Sequence, residues 1–299
     1  MRTLAFGEIL WDIIKGEAHL GGALLNLTAH MSKTGADAYI ISSVGDDTHG
    51  HNALKLLDNL NVNKDFITIL NEHPTGTVDV TLHANGIPTY IINENTAWDN
   101  IKVQEQNIGK ILNENWDVFC IGTLAQRTAS NRTLLHHIIE QINSRHIFYD
   151  VNLRQNYFDK SWIEFSMNKA TIVKVNDEEA VFLSELIFNE TLTENKFAEK
   201  LTEKYNLQLV CITRGPNGAA VYNNNNFVEI PGIIIKVADT VGAGDSFSAG
   251  LLHAFISGLS AEKSAQFAVK IGGYVASHFG AIPEYPIELK NEIKAITKL

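Results

Sequence analysis

Near the C-terminal end, Asp239-Thr-Val-Gly-Ala-Gly-Asp245 runs directly into the helical pattern SFSAGLLHAFISG. Gly242-Ala243-Gly244 permits a tight turn in which several N–H groups point the same way at a helix N-terminus. Unpaired donors and aligned peptide dipoles make such a turn an anion site. Asp245 falls in the first helical turn, beside the place that anion would take. A carboxylate next to a phosphate is electrostatically costly unless it takes part in the reaction. The matching chemistry is removal of a proton from an attacking hydroxyl during phosphoryl transfer. From the residues alone, Asp245 reads equally well as an ordinary acid at a helix start.

Other site motifs are missing. There is no G-x-x-x-x-G-K-[ST], so no Walker-type loop. Gly242 and Gly244 begin a G-x-G, but Phe247 takes the third glycine's place, and the dinucleotide fingerprint fails. No G-x-S-x-G elbow exists, which removes an α/β-hydrolase. Cys120 and Cys211 each sit in an apolar run and read as buried packing thiols. The close histidine pairs, His49/His51 and His136/His137, lack the i, i+4 spacing that puts two imidazoles on one metal.

The chain has 299 residues, 45% of them hydrophobic, and a formal net charge of −10. That length suits one large core with an appendage. The acidic balance argues against a nucleic-acid or anionic-membrane surface. No apolar run approaches the roughly 18 residues that span a bilayer. MRTLAFGEIL reads as a first buried strand rather than a signal peptide, and the expected location is the cytoplasm.

The elements that must position the motif alternate. Apolar runs at Leu4–Gly7, Tyr39–Val44, Val118–Gly122, His146–Val151, Thr171–Val175 and Leu209–Thr213 predict strands. Amphipathic helices are predicted at Leu24–Thr34, Asn52–Leu60, Thr133–Asn143 and Asp177–Leu183, and over most of the stretch from Gly242. Continuous rather than alternating apolar strands mean a parallel sheet covered on both faces. The expected fold is α/β, a doubly wound and mostly parallel sheet flanked by helices, in one domain over 1–299. Leu10–Gly22 and Thr75–Asn93 alternate instead, with Asn85-Gly86 as a turn signal. They predict a small antiparallel β lid from excursions at about 10–22 and 75–95. A further hairpin is predicted at Ala219–Val228, turning through Asn223–Asn226.

With Gly21-Gly22-Ala-Leu-Leu-Asn26 near the start and DTVGAGD near the end, the chain resembles the ribokinase-like (PfkB-type) sugar kinases. VGDDTHG at Val44–Gly50, KVNDEE at Lys174–Glu179 and TRGPNG at Thr213–Gly218 also match, so the resemblance runs from residue 4 to residue 285. It implies that Asp245 is the general base toward a sugar hydroxyl. The N–H groups of Gly242, Ala243 and Gly244 would then stabilise the charge developing on the phosphoryl group. It also implies ATP and Mg²⁺ as cofactors, with Asn176 and Glu179 placing the metal through water. The same Asn-x-x-Glu spacing produces a capping box. Lys174, Thr213, Gly215 and Gly218 are expected along the nucleotide, and Asp239 and the backbone of Val241 at a potassium loop. Glu284 stands where a small hydroxyl residue is frequent, and Ala268 where the adenine-facing helix often carries Asn.

On the sugar side the resemblance assigns Asp12 to two adjacent hydroxyls, with Gly21, Gly22 and Asn26 approaching the sugar closely. Asp150-Val-Asn152-Leu-Arg154 ends a predicted strand, where open α/β sheets place ligands. It is similar to the Asp-x-Asn-x-Arg of fructokinases and 2-keto-3-deoxygluconate kinases. The planar fork of Arg154 suits an anionic oxygen, although alone it also reads as a salt-bridged surface arginine. Ala125-Gln-Arg127 leans toward fructokinase, and Glu94, where many fructokinases have Arg, would repel a sugar acid. The expected reaction is ATP-dependent phosphorylation of a primary ketohexose hydroxyl, D-fructose to fructose 6-phosphate. The alternatives are 2-keto-3-deoxygluconate kinase and, in a different class, a non-catalytic sugar or nucleotide sensor. The expected partners are sugar, ATP and a second copy joined through the lid, with no nucleic acid and no membrane.

Overall fold

The computed structural model describes residues 1–82 and 88–298, with side chains outside 80–90. In chain order the strands are β1 (Arg2–Phe6), β2 (Leu10–Ile14), β3 (Glu17–Gly21), β4 (Asp37–Gly45), β5 (Val62–Asn63), β6 (Ile67–Leu70) and β7 (Gly76–Leu82), followed by β8 (Pro88–Ile92), β9 (Trp116–Gly122), β10 (Ser144–Asp150), β11 (Ile172–Asn176), β12 (Leu209–Thr213), β13 (Ala219–Asn223) and β14 (Asn226–Ile230). The helices are α1 (Ala23–Lys33), α2 (Thr48–Asn59), α3 (Glu105–Asn113), α4 (Ala129–Ile139) and α5 (Lys160–Lys169), then α6 (Asp177–Phe188), α7 (Glu194–Tyr205), α8 (Ala243–Ile256), α9 (Ala261–Ala276) and α10 (Ile287–Thr297).

Ten strands form the central sheet in the order β14-β13-β12-β11-β10-β9-β1-β4-β5, with β6 also on β4. From β5 to β12 the pairings are parallel, and β13 and β14 close one edge antiparallel. Both faces are covered, which explains the uninterrupted apolar runs. Leu4, Phe6, Phe119 and Ile121 point into one core with α4, α5, α6 and α7, whereas Ala5, Cys120 and Phe148 point into the other with α1, α8 and α9. Both cysteines are buried and free, and burial pushes the Cys211 thiol up to about 12.

β1 lies between β9 and β4, so chain order departs in opposite directions on its two sides. Open α/β sheets bind ligands in the crevice outside the carboxyl ends of the strands at such a switch point. The lid arises there. β2–β3 and β7–β8 are antiparallel hairpins, and the two excursions join through a parallel β2–β7 seam. The expected Asn85-Gly86 turn lies outside the described residues. The other expected hairpin is present as β13–β14, and Asn224 and Asn225 take φ values of 51° and 60°, which Asn tolerates in tight turns.

Two helices begin earlier than their apolar periodicity suggests, because caps decide the start. Asp47 accepts from Gly50 N–H at 2.8 Å and opens α2. Thr128 accepts from Asn131 N–H and opens α4. α6 runs on to Phe188 and ends at Asn189 in the left-handed region.

Candidate active site

The turn before α8 has the geometry that its glycines require. Gly242 takes φ 75°, and a Cβ there would stand 2.5 Å from the Ala281 carbonyl oxygen. One expectation needs correction. Ala243 N–H is already returned to the Thr240 carbonyl at 3.2 Å, so it is not a free donor. The N–H groups of Gly244 and Asp245 make no bond to a backbone carbonyl, and they form the open end of the helix.

Asp245 is the residue on which the site converges. Asn26, on the face of α1 toward α8, donates its Nδ2–H to Asp245 Oδ2 at 2.8 Å. Desolvation raises the Asp245 carboxyl to about 7; the Asn26 bond, Lys174 and Arg154 oppose that rise, and Asp150 adds to it. A base with that value exchanges protons readily near neutral pH. The Oδ1 of Asn26 is buried without a hydrogen-bond partner.

Behind Asp245 lies a buried ion pair. Asp150 and Lys174 are register partners on β10 and β11, and Lys174 Nζ donates to both Asp150 carboxylate oxygens at 2.8 Å. Ser248, on α8, adds a bond to Asp150 Oδ2 at 3.2 Å. This corrects the expected role of Lys174. Its ammonium is spent inside the sheet, at 7% exposure, rather than offered to a nucleotide phosphate.

Asn176 and Glu179 form the full capping box. Glu179 N–H donates to Asn176 Oδ1 at 2.7 Å, and Asn176 N–H donates to Glu179 Oε2 at 2.8 Å. The other Glu179 oxygen accepts from Leu153 N–H at 2.7 Å, which ties the Asn152–Arg154 segment to the start of α6. Each oxygen thus keeps a lone pair for a water. Asn176 and Thr213 are register partners, and the turn through Gly215 and Gly218 follows from the same edge. Asp239 braces its own loop, accepting from Val241 N–H at 3.0 Å and Gly280 N–H at 3.2 Å. Glu284 is drawn away to Lys33 and Lys290, and Lys33 holds its carboxyl below the usual range. Ala268 is fully buried between α8 and α9, packed on Gly250, so it faces no adenine.

On the lid side, Asp12 lies half-buried on β2, its carboxyl pushed up by desolvation and pulled back by His19 and Arg154. A Cβ on Gly21 would stand 2.5 Å from Asp12 Oδ2, so only glycine leaves that carboxylate its place. Gly22 takes φ 115°, where a Cβ would strike the Glu8 carbonyl oxygen at 2.4 Å. Gly22→Ala is therefore expected to cost about 1–3 kcal/mol of stability, read as a lower denaturation midpoint; an unchanged midpoint would contradict this geometry. Asn152 sits at φ 40° just past β10, and Arg154 is exposed.

Glu8 was not picked out from the sequence, and Arg127 was named only as part of Ala125-Gln-Arg127. Glu8 is buried at the end of the first apolar run and accepts Ala23 N–H at 2.8 Å through Oε1, fixing the start of α1. A charge within an apolar run of sequence was its signal. Arg127 is buried between Trp98 and Tyr157 and pairs with Asp99 at 2.6 Å, and its Nη2 also holds the Asn93 carbonyl at the lid's exit. Tyr157 in turn donates to Glu94 at 2.8 Å.

A profile described as pfkB family carbohydrate kinase matches residues 5–288. The chain belongs to the pfkB family of carbohydrate kinases. It is 29% identical to a putative sugar kinase of Pyrococcus horikoshii, covering 93% of this chain and 90% of that protein. It is 26% identical to a probable fructokinase of Arabidopsis thaliana, covering 95% and 89% respectively. Among solved structures, the pfkB-family fold of this chain matches a Xylella fastidiosa fructokinase with bound ATP at a TM-score of 0.84, with 18% identity over 100% of this chain and 99% of that one. Among the described residues of this pfkB-family chain, no helix is long and apolar enough to cross a membrane, and no three metal-ligating side chains gather into a cage.

Proposed function

We propose that this carbohydrate kinase transfers the γ-phosphoryl group of ATP to the primary hydroxyl of a ketohexose, D-fructose first. The observation that carries the reading is Asp245 at the open N-terminus of α8, its carboxyl near 7 and its orientation held by Asn26. Asp245 takes the proton of the sugar hydroxyl, whose oxygen bonds to the γ-phosphorus while the bond to ADP breaks. The free N–H groups at the helix start meet the charge on the transferring group. Mg²⁺ neutralises phosphate charge when bound, and Asn176 and Glu179 would hold it through water with the lone pairs that their capping bonds leave. Asp12, Gly22, Asn152 and Arg154 orient the sugar, and Thr213, Gly215 and Gly218 line the nucleotide's path. Asp239 and Val241 shape the loop that would take potassium.

Fructose is preferred over a sugar acid because Glu94 at the lid's exit would repel a carboxylate. The fructokinase relatives at 26% identity point the same way. In the same reading the protein is cytoplasmic and dimerises through the lid, whose sheet ends in the edge strands β3 and β8.

The test is ADP release from Mg-ATP with fructose, ribose, glucose and 2-keto-3-deoxygluconate. Fructose-dependent turnover supports the proposal. Preference for the sugar acid keeps the reaction but assigns Arg154 to a carboxylate. Bound ATP without turnover on any sugar favours a sensor. The pH profile adds an independent check. Asp245 must be deprotonated to act as a base, so kcat/KM for fructose should rise through about pH 7 and then level off. A rate that is flat from pH 5.5 to 8 contradicts Asp245 as that base.

A further inference from the structure

His30 is fully buried in the last turn of α1, one helical turn beyond Asn26. Its Nε2 lies 2.9 Å from the Ala281 carbonyl oxygen and its Nδ1 lies 2.6 Å from the Tyr285 hydroxyl. A carbonyl only accepts, so Nε2 carries the proton. With the ring neutral, Nδ1 accepts from the Tyr285 O–H. The partners thus dictate the tautomer, and the ring is stacked at 19° on Tyr285.

Ala281 is also the wall against which Gly242 turns, because its carbonyl oxygen and Cα stand 2.5 and 2.8 Å from where a Gly242 Cβ would be. Residues 26, 30 and 33 share one face of α1. Along that face Asn26 holds the base Asp245, His30 holds the wall behind Gly242, and Lys33 holds Glu284. A single rigid helix therefore references both parts of the catalytic turn, the carboxylate and the open helix end, to the same body.

We propose that His30 is a positioning residue for phosphoryl transfer, keeping the Gly242–Gly244 turn in register with Asp245 through the Ala281 carbonyl. The inference rests on the kinase reading above. It requires that losing the Nε2 donor misplaces the turn while leaving the sugar contacts of the lid side intact.

The experiment compares His30→Leu, which fills the space without a donor, with His30→Gln, which restores a donor near the Nε2 position. A small displacement at a reacting centre costs up to about a hundredfold. His30→Leu should lower kcat by about tenfold to a hundredfold with the fructose KM within about twofold of wild type, and His30→Gln should recover most of that loss. Equal losses in both variants, or a Leu variant with unchanged kcat, would overturn the proposal. Tyr285→Phe is the control, because it leaves the Nε2 donor and the Ala281 carbonyl in place, and its kcat should stay close to wild type. A loss there as large as in His30→Leu would assign the effect to packing rather than to the Ala281 bond and overturn the proposal. Long-range ¹H–¹⁵N spectra of the wild-type protein should show His30 protonated on Nε2. Protonation on Nδ1 would break the link to Ala281 whatever the enzyme's activity. Wild-type protein that releases no ADP with any sugar would instead sink the kinase reading, which the spectra do not touch.

Discussion

Asp245→Asn is expected to lower fructose-dependent ADP release by about 10²–10⁴-fold, the range a positioned general base contributes. The amide has nearly the same shape and can keep a bond to Asn26, so ATP and fructose should bind as before. The loss should therefore fall on kcat. The same substitution separates catalysis from stability. Burial lifts the carboxyl from its ordinary value to about 7, so the folded state holds a proton that the unfolded chain releases. The resulting cost to stability is absent below the ordinary carboxylate range, grows as pH rises through it and is complete above about 7. Asp245→Asn removes that cost. At pH 8 the variant should melt no lower than wild type, and any advantage should shrink on acidification. A variant that retains more than a tenth of wild-type kcat would remove Asp245 from the mechanism.

Lys174→Met should cost about 3–5 kcal/mol, the range for deleting one partner of a buried ion pair. Burial alone would pull the Lys174 ammonium down, and Asp150 at 2.8 Å outweighs it, so the group is held charged within the sheet. Methionine fills the same channel but leaves the Asp150 carboxylate with only Ser248 as a side-chain partner. Denaturant unfolding reads the effect directly. Adding Asp150→Leu to the variant should return a large part of the loss, because no charge is then left unpaired. A single-variant loss below about 1 kcal/mol would mean that Lys174 is free to serve the nucleotide after all.

Much of the fold was legible because its signals are local. Strands buried on both faces read as near-continuous apolar runs, and Leu4–Phe6 and Val118–Ile121 do. The β13–β14 turn was legible because consecutive asparagines accept positive φ. Helix starts were less so, since Asp47 and Thr128 lie outside the apolar periodicity that marks α2 and α4. The parallel seam between β2 and β7 could not be read at all. Alternation shows that each excursion is a hairpin, but the pairing between excursions depends on where the main sheet releases them.

By itself the sequence determined the chemistry available: a Gly-Ala-Gly turn entering a helix, a carboxylate in its first turn, and a family resemblance over most of the chain. The turn and the helix start follow from torsional freedom and dipole alignment within a few residues, and the resemblance follows from the matched motifs. The tertiary structure alone decided how those groups are used. It bonded Asn26 to Asp245 across 219 residues, committed Lys174 to Asp150 instead of a phosphate, and set His30 against Ala281 across 251 residues. Such bonds join different elements, so they depend on how helices and strands stack, and no periodicity along one element specifies that.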